Sequence, residues 1–351
     1  MKLEELILDN DKMYFLLPTG RGDTFICCFL HKILEEKHNA KIIFIIQESH
    51  RFICEFLKTP FLCADFEWED CYRVSNDCPL PRKGAIFVAH PYFHKELSIL
   101  QEIRIERSGK RNGTWQKNFA MLPEFDFLFF LKTFFKLPAQ TNIDFSFTPP
   151  ELSRDLAEKI EKTAPLDKIV LFSPHAVTLS DLPENFWEKE AEKLKKQGFV
   201  VVSSVLKPQD AVAGTVYIPL SCEEAFCLAY HCHAVYALRS GFADLCFQLG
   251  DKLTVFYPTP ESYAFFSMNA FYKRNDIIEK IMENGRDEDI KRIYLFSKIR
   301  LFKTVKKEKD EMFSYSFYFL FIPVLKIKKT SGKTTVRFFG IPVLKIKEKG
   351  G

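Results

Sequence analysis

Short apolar segments that alternate with amphipathic stretches constrain the fold of this chain more than any other feature. Residues 25–36 and 185–197 have apolar side chains at helical spacing. The segments between such stretches are too short for helices and carry few polar residues; they are 14–18, 41–47, 84–89, 168–173, 198–205, 215–218, 233–238 and 252–257. Strands without polar alternation are buried on both faces, so this order predicts an α/β fold with parallel sheets covered by helices.

A proline-rich break at residues 148–150 (Thr-Pro-Pro) divides this pattern into two halves. A chain of 351 residues is long enough for two domains that each bury a core. We therefore predict a Rossmann-like N-terminal domain (1–150), a second Rossmann-like domain (151–290) and a basic tail (291–351), with the two doubly wound domains facing a cleft. No apolar run approaches the roughly 18–20 residues that a membrane-spanning helix needs.

The tail differs from the rest of the chain in charge and in pattern. From Lys291 onward, 16 Lys or Arg oppose four Asp or Glu, a net charge of +12, whereas the whole chain carries only +4. Residues 322–328 (Ile-Pro-Val-Leu-Lys-Ile-Lys) recur identically at 341–347, and their apolar–Lys alternation has the period of a strand. The tail is expected to bind anionic lipid headgroups, or to form β-hairpin units that pair with each other or with another subunit.

Features that the sequence lacks predict which partners the protein does not bind and where in the cell it is found. It has no recognisable nucleic-acid module, so no nucleic-acid partner is expected. Ten cysteines at irregular spacings suit free thiols in a reducing compartment, and the N-terminus lacks the basic and apolar regions of a secretory signal. We therefore expect a cytoplasmic protein whose tail holds it at the inner face of the cytoplasmic membrane. Pairing of tails between subunits would also allow a homo-oligomer.

One candidate site is the segment 19–24 (Thr-Gly-Arg-Gly-Asp-Thr), between a predicted strand and a predicted helix. Its glycines let the backbone approach a ligand closely, and the start of a helix favours an anion. It lacks the third glycine of a dinucleotide fingerprint and the Gly-Lys-Ser/Thr of a Walker loop. Asp23 could cap the helix, or it could take a proton from an acceptor hydroxyl at the rim of the cleft.

A second candidate is the segment 238–245 (Leu-Arg-Ser-Gly-Phe-Ala-Asp-Leu), where a predicted strand again leads into a helix. Free backbone N–H groups at Ser240 and Gly241, with Arg239 beside them, would suit a diphosphate. The alternative is that Ser240 only caps the helix and that Arg239 pairs with a surface carboxylate.

Together with a third stretch, these segments resemble the bacterial lipopolysaccharide heptosyltransferase family of nucleotide-sugar glycosyltransferases. Gly22-Asp23 before an apolar helix is similar to the family's N-terminal Gly-Asp loop. Residues 173–176 (Ser-Pro-His-Ala), followed by Phe186-Trp187, are similar to the stretch that opens its nucleotide-binding domain. Residues 239–245, 249–250 and 256–259 resemble its Asp-Ser/Thr-Gly-x-x-His-Leu, Leu-Gly and Phe-Gly-Pro-Thr signature. The resemblance covers residues 12–275.

The resemblance implies a GT-B fold and an inverting, metal-independent transfer of a sugar from a nucleotide-diphosphate donor to a bacterial surface glycan. Asp23 would be the general base, with no cofactor. The donor-binding residues would be Arg239, Ser240, Gly241, Phe242, Asp244, His175, Glu223 and Thr259, and the acceptor-binding residues Arg21 and Gly22. His90 and His94 follow the predicted strand at 84–89, and from that position they are predicted to line the acceptor side of the cleft as well. Arg239 replaces the family's Asp and Asp244 replaces its His. These replacements indicate a donor other than ADP-heptose.

Two other functions and one other site remain open. A glycerophosphotransferase of the teichoic-acid type would share the architecture and a cationic membrane surface. A degenerate glycosyltransferase domain could instead serve as a non-catalytic subunit of a polysaccharide assembly complex. Residues 287–289 (Asp-Glu-Asp) are similar to a metal-binding acidic motif, but their charged surroundings predict a solvated helix, and no metal is expected.

Overall fold

A computed structural model gives the fold. It describes the backbone of residues 2–18, 20–90, 93–94, 127–176, 179, 181–183, 185–258, 260–283, 286–295, 299–309, 312–319, 322–330, 333–338 and 341–347. Side-chain environments are described as far as Met282, except at 127, 129, 130, 260, 261 and 264. None of the helices in these ranges has the length and apolar character to cross a membrane.

The N-terminal half forms a four-stranded sheet in which every described strand pair is parallel, in the order β3-β2-β1-β4. The strands are β1 (Lys12–Leu16), β2 (Lys41–Ile46), β3 (Phe61–Cys63) and β4 (Ile86–Val88). The helices are α1 (Arg21–His38), α2 (Arg51–Phe56) and α3 (Trp68–Asp77), followed by α4 (Phe127–Phe134) and α5 (Arg154–Glu161).

The second half forms a larger parallel sheet in the order β7-β6-β5-β8-β9-β10. Its strands are β5 (Ile169–Ser173), β6 (Val200–Ser203), β7 (Val216–Tyr217), β8 (Ala234–Leu238), β9 (Leu253–Tyr257) and β10 (Ile278–Glu283). Its helices are α6 (Phe186–Lys196), α7 (Cys222–His231), α8 (Gly241–Leu245), α9 (Pro260–Phe266) and α10 (Met268–Phe271).

Both sheets are buried on both faces, which is why their strands lack polar alternation. In β1, Phe15 packs in the core cluster that contains α1, whereas Tyr14 and Leu16 pack in the cluster that contains α3. In β5, Val170 and Phe172 pack with α6, whereas the intervening Leu171 belongs to the cluster of α7. The predicted α/β fold with parallel sheets covered by helices is therefore confirmed.

One apolar core runs through both halves. The segment 143–147 enters it, and there the ring of Phe147 lies 5.6 Å from Phe25 of α1 and 6.4 Å from Phe226 of α7, measured between centroids. Phe25 also lies 6.3 Å from Phe247, and Phe56 of α2 lies 5.2 Å from Phe226. The two sheets are thus joined by packed aromatic rings. The boundary near residue 150 and the domain ranges 1–150, 151–290 and 291–351 stay predictions.

Beyond β10 the larger sheet continues as an antiparallel meander, β11 to β16. Its strands are β11 (Arg286–Leu295), β12 (Ile299–Lys309), β13 (Met312–Phe319), β14 (Ile322–Thr330), β15 (Lys333–Phe338) and β16 (Ile341–Lys347). The two repeat copies lie in β14 and β16. The expectation of a helix at residues 287–289 is wrong, because these residues belong to β11, where Asp287 and Glu288 pair with β10 and Asp289 pairs with β12.

Candidate functional site

The predicted site residues lie at the carboxyl ends of parallel strands in both sheets. In the first sheet, β2 lies on one side of β1 and β4 on the other, so the loops after β1 and β4 diverge. The second sheet has the same arrangement around β5, with β6 on one side and β8 on the other. Ligands of open α/β sheets bind at such switch points. Asp23 and His90 follow the first pair of strands, and His175 and Ser240 follow the second pair.

The two sheets bring these edges together at two glycines. A Cβ atom added to Gly22, in the first turn of α1, would lie 2.6 Å from the Gly241 Cα atom and 2.6 Å from Asp244 Oδ2. A Cβ atom added to Gly241 would lie 2.6 Å from the Gly22 nitrogen. The starts of α1 and α8 therefore touch backbone to backbone, which only glycine permits. The assignments of Gly22 to acceptor binding and of Gly241 to donor binding stay predictions.

Arg239 and Asp244 form a buried ion pair beside this contact. Arg239 Nη1 donates to Asp244 Oδ2 at 2.8 Å, and the two residues are 5% and 4% exposed. Arg239 also donates to the carbonyl oxygens of Ser240 and Phe266, and the Tyr272 hydroxyl donates to Asp244 Oδ1 at 2.9 Å. Burial raises the pKa of Asp244, and the Arg239 charge opposes that shift.

The guanidinium of Arg239 thus donates its hydrogen bonds to groups inside the protein. This agrees with the alternative prediction that Arg239 pairs with a carboxylate, except that the carboxylate is buried and not on the surface. The assignment of Arg239 to donor binding, like that of Asp244, stays a prediction. Because each residue neutralises the other, both replacements relative to the family are explained by one contact.

Ser240 occupies the N-cap position of α8, but its hydroxyl makes no capping hydrogen bond. The Ser240 Oγ atom is buried and has no hydrogen-bond partner among the described residues. A buried hydroxyl without a hydrogen-bond partner costs free energy, and the described residues supply no polar group to the Ser240 hydroxyl. Ser240 therefore stands at the cap position, as the alternative predicted, but its side chain does not cap the helix.

The other residues predicted to bind the donor differ in their exposure and contacts. His175 is exposed just after β5, with Nδ1 3.6 Å from Asp181 Oδ1. Glu223 is exposed in the first turn of α7, whereas the Ser221 and Glu224 side chains cap that helix. Phe242 is partly buried against the main core. Thr259 lies outside the described residues.

On the acceptor side, Asp23 is the third residue of α1 and is partly exposed. The helix is capped by Gly20, so the expectation that Asp23 is the N-cap residue is wrong. Arg21, also partly exposed, donates from Nε to the carbonyl oxygen of Ser49 at 3.3 Å. A carboxylate and a guanidinium thus sit in the first turn of α1, where the helix dipole favours the ionised carboxylate.

His50 belongs to the same edge and was not predicted. It ends the short helical turn after β2, is 4% exposed, and its Nδ1 lies 2.9 Å from the hydroxyl of Thr24, which follows Asp23 in α1. Burial, with a smaller contribution from the Arg21 charge, lowers the pKa of the His50 imidazole to about 4. The signal that could have found it is its place three residues after the predicted strand 41–47, at the edge where ligands bind.

This buried imidazole predicts a loss of stability in acid. Unfolded His50 takes up a proton below its ordinary pKa of 6.5, whereas the folded protein resists protonation until about pH 4. Stability is therefore complete above pH 6.5 and falls by roughly 3 kcal/mol by pH 4. Urea unfolding of wild type and His50→Asn across this range measures it. The variant, which can keep a bond to Thr24, should lack this part of the pH dependence, and parallel curves would contradict the assignment.

His90 and His94, predicted to bind the acceptor, are both buried. The His94 Nε2 atom bonds to the carbonyl oxygen of Val88, and its ring lies 4.8 Å from Phe87 and 5.5 Å from Phe134, between centroids. His90 lies 6.1 Å from the ring of Phe93. These contacts give His94 a packing role, and acceptor binding by either residue stays a prediction. Within the described ranges, His, Cys, Asp and Glu residues form no group of three that could hold a metal ion.

No model of a known protein family matches the sequence. No curated protein sequence matches it either. Among solved structures, the chain is similar to ADP-heptose LPS heptosyltransferase II of E. coli, with 12% identity, a TM-score of 0.48, and coverage of 82% of this chain and 92% of that chain. It is also similar to a family 9 glycosyltransferase of Veillonella parvula, with 10% identity, a TM-score of 0.46, and coverage of 78% and 88%.

A third solved structure is the iron-containing dodecameric glycosyltransferase TibC of enterotoxigenic E. coli, with 13% identity, a TM-score of 0.44, and coverage of 73% of this chain and 61% of that chain. All three of these solved structures are glycosyltransferases, and they include heptosyltransferases, the family that the three sequence motifs of this chain resemble.

Proposed function

We propose that the protein is an inverting glycosyltransferase that moves a sugar from a nucleoside-diphosphate donor to a growing bacterial surface glycan without a metal ion. The donor lies at the end of the second sheet, near His175 and Ser240. The acceptor lies over α1, near Asp23 and Arg21. The glycan is a lipopolysaccharide, a lipooligosaccharide or a capsule.

One observation carries this proposal. Segments more than 200 residues apart in the sequence, 19–24 and 238–245, meet at the starts of α1 and α8. Each follows the strand beside a switch point of its sheet, where α/β proteins bind ligands. Two substrates bound at these two edges would be held next to each other, as a group transfer requires.

The chemistry follows from the groups at this junction. The acceptor oxygen attacks the anomeric carbon and forms the new glycosidic bond, while the bond from that carbon to the diphosphate oxygen breaks and the diphosphate leaves with the electron pair. The Asp23 carboxylate takes the acceptor proton. The unpartnered Ser240 hydroxyl donates to the leaving diphosphate, since oriented donors stabilise the charge that develops there.

A non-catalytic role in a polysaccharide assembly complex is the second candidate, and the Arg239–Asp244 pair favours it. Both side chains stand where the family has donor-side residues, yet they bond to each other in the interior. Side chains that bond to each other in this way are not available to a donor, as expected of a chain that no longer binds one.

A nucleotide panel separates the candidates. Thermal unfolding of the purified protein is measured with ADP, GDP, UDP, CDP, CMP and dTDP, for wild type and for Ser240→Ala. A nucleotide at 100 times its dissociation constant adds about 2.7 kcal/mol to the stability of the folded state. We expect one diphosphate to stabilise wild type and to bind Ser240→Ala roughly 10–100-fold more weakly, since a hydrogen bond to a charged group is lost.

Two other outcomes of the nucleotide panel would favour a different function. Stabilisation by CMP in place of any diphosphate would favour a glycerophosphotransferase that releases CMP from CDP-glycerol. Wild-type protein that no nucleotide stabilises would favour the non-catalytic subunit.

A further inference from the structure

Across β13–β16, the strand register places apolar residues and polar or basic residues in separate rows. Directly paired residues of neighbouring strands share one face of a sheet. Two rows across β13–β16 consist only of apolar residues: Tyr315, Ile327, Val336 and Leu344 form one, and Phe317, Leu325, Phe338 and Ile341 form the other. Since the rows are two residues apart along β13, they lie on the same face.

The intervening rows are polar or basic and lie on the opposite face, because successive residues of a strand alternate between faces. One consists of Ser316, Lys326, Arg337 and Pro342, and the other of Ser314, Lys328, Thr335 and Lys345. Both repeat copies obey this division, with Leu325 and Leu344 on the apolar face and Lys326 and Lys345 on the basic face. The repeat therefore encodes a two-faced sheet.

The apolar face has no extensive cover among the described elements, since β13 to β16 pack closely only on their neighbouring strands. Eight apolar residues, three of them aromatic, make roughly 800 Å² of surface when fully buried. A contiguous apolar patch of that size exceeds what monomeric proteins expose. It is close to the ~800 Å² that each partner contributes to a standard protein interface.

We propose that the meander is a homodimerisation surface, in which the apolar faces of two copies pack against each other as a β-sandwich. A twofold axis places the same rows on both sides of the interface. The basic rows then face solvent on the two outer surfaces. Sheets stack about 10 Å apart face to face, so interdigitating aromatic and aliphatic residues fill the space between the copies.

The placement of the cations favours a second copy over a lipid surface. Peripheral membrane segments combine inserted apolar residues with cations that reach the anionic headgroups from the same side. Of the seven Lys and Arg residues in β13–β16, six lie on the face opposite the apolar rows, among them Lys326, Lys328 and Lys345. Lys329 lies at the margin of the apolar face, where it pairs with Phe313, and Lys306 of β12 pairs with Tyr315 on the same face. A sheet resting on lipid by its apolar face would hold the six charges of the opposite face away from the headgroups.

Sedimentation equilibrium of the full chain tests the proposal with matched variants in one strand. Phe317→Glu places a charge in an apolar row, and Ser316→Glu places the same charge on the opposite face of β13. We expect wild type and Ser316→Glu to be dimers, and Phe317→Glu to weaken dimerisation at least roughly 30-fold, as for the loss of an interface anchor. Leu325→Glu and Lys326→Glu repeat the comparison in β14, should Phe317→Glu fail to fold.

Three results would overturn the proposal. The first is a wild-type chain that stays monomeric at all concentrations. The second is a dimer that survives both Phe317→Glu and Leu325→Glu. The third is a monomer that pellets with vesicles of phosphatidylcholine and phosphatidylglycerol and loses this binding in Phe317→Glu, which would assign the face to a lipid surface.

Discussion

Asp244→Asn is expected to lower the free energy of unfolding by roughly 3–5 kcal/mol. The substitution keeps the size of the side chain and removes its charge. Arg239 is then left as a buried cation, 5% exposed, whose carboxylate partner is gone. The start of α1 packs against the same carboxylate at Gly22, so the loss also weakens the junction between the two sheets.

A double variant that removes both charges separates the free energy of their attraction from the cost of burying them. In Arg239→Met/Asp244→Leu no charge remains buried, and apolar replacement of a buried pair is often neutral. The double variant should therefore recover most of the stability that Asp244→Asn loses, with a remaining cost for the Tyr272 hydroxyl that bonded to Asp244. Equilibrium unfolding in urea measures all three proteins.

Glu158→Gln is the matched control for this experiment. It removes one charge of the exposed Arg154–Glu158 pair, which has the same 2.8 Å separation but side chains 89% and 58% exposed. Such pairs contribute only about 0.2–1 kcal/mol. If Asp244→Asn cost no more than Glu158→Gln, the buried pair would not hold the junction together.

Asp23→Asn should reduce the turnover of the proposed transfer by about 10²–10⁴-fold, the contribution of a positioned general base. The amide cannot accept the proton that the acceptor hydroxyl gives up, although its size is unchanged. Since donor binding lies at the other sheet, stabilisation by the nucleoside diphosphate should remain. Release of the diphosphate from its nucleotide sugar, in the presence of acceptor glycan, measures the turnover.

Glu36→Gln is the control for the loss of a carboxylate from α1. Glu36 is exposed near the other end of that helix, in its last turn. It should keep full turnover. A folded Asp23→Asn protein with the turnover of Glu36→Gln would remove Asp23 from the reaction.

The fold could be predicted from the sequence because burial acts on every residue of the central strands. The predicted strand at 41–47 is β2 (Lys41–Ile46), and the one at 252–257 is β9 (Leu253–Tyr257). β3 (Phe61–Cys63) was not predicted, because a three-residue edge strand has no period to detect. The helix predicted to follow the strand at 233–238 is short: it ends at Leu245 and is followed by a separate 3₁₀ turn, Phe247–Lys252.

The site was predictable only in its position along the chain. Loops after apolar strands mark the functional edge, and this rule placed Asp23 and Ser240 there, whereas His175 was predicted from the family resemblance. The contacts between distant segments carry no local signal. The bond between Arg239 and Asp244 and the junction of Gly22 with Gly241 arise from tertiary packing. The pairing of His50 with Thr24 joins residues 26 positions apart and likewise depends on the sheet.

The most direct test of the central claim is the release of nucleoside diphosphate from a panel of nucleotide sugars by the wild-type protein, measured with and without acceptor glycan. We expect that one donor is consumed, that the glycan gains one sugar per diphosphate released, and that the new linkage is inverted at the anomeric carbon. Folded protein that releases no diphosphate from any donor, or that releases only CMP from CDP-glycerol, would contradict the claim.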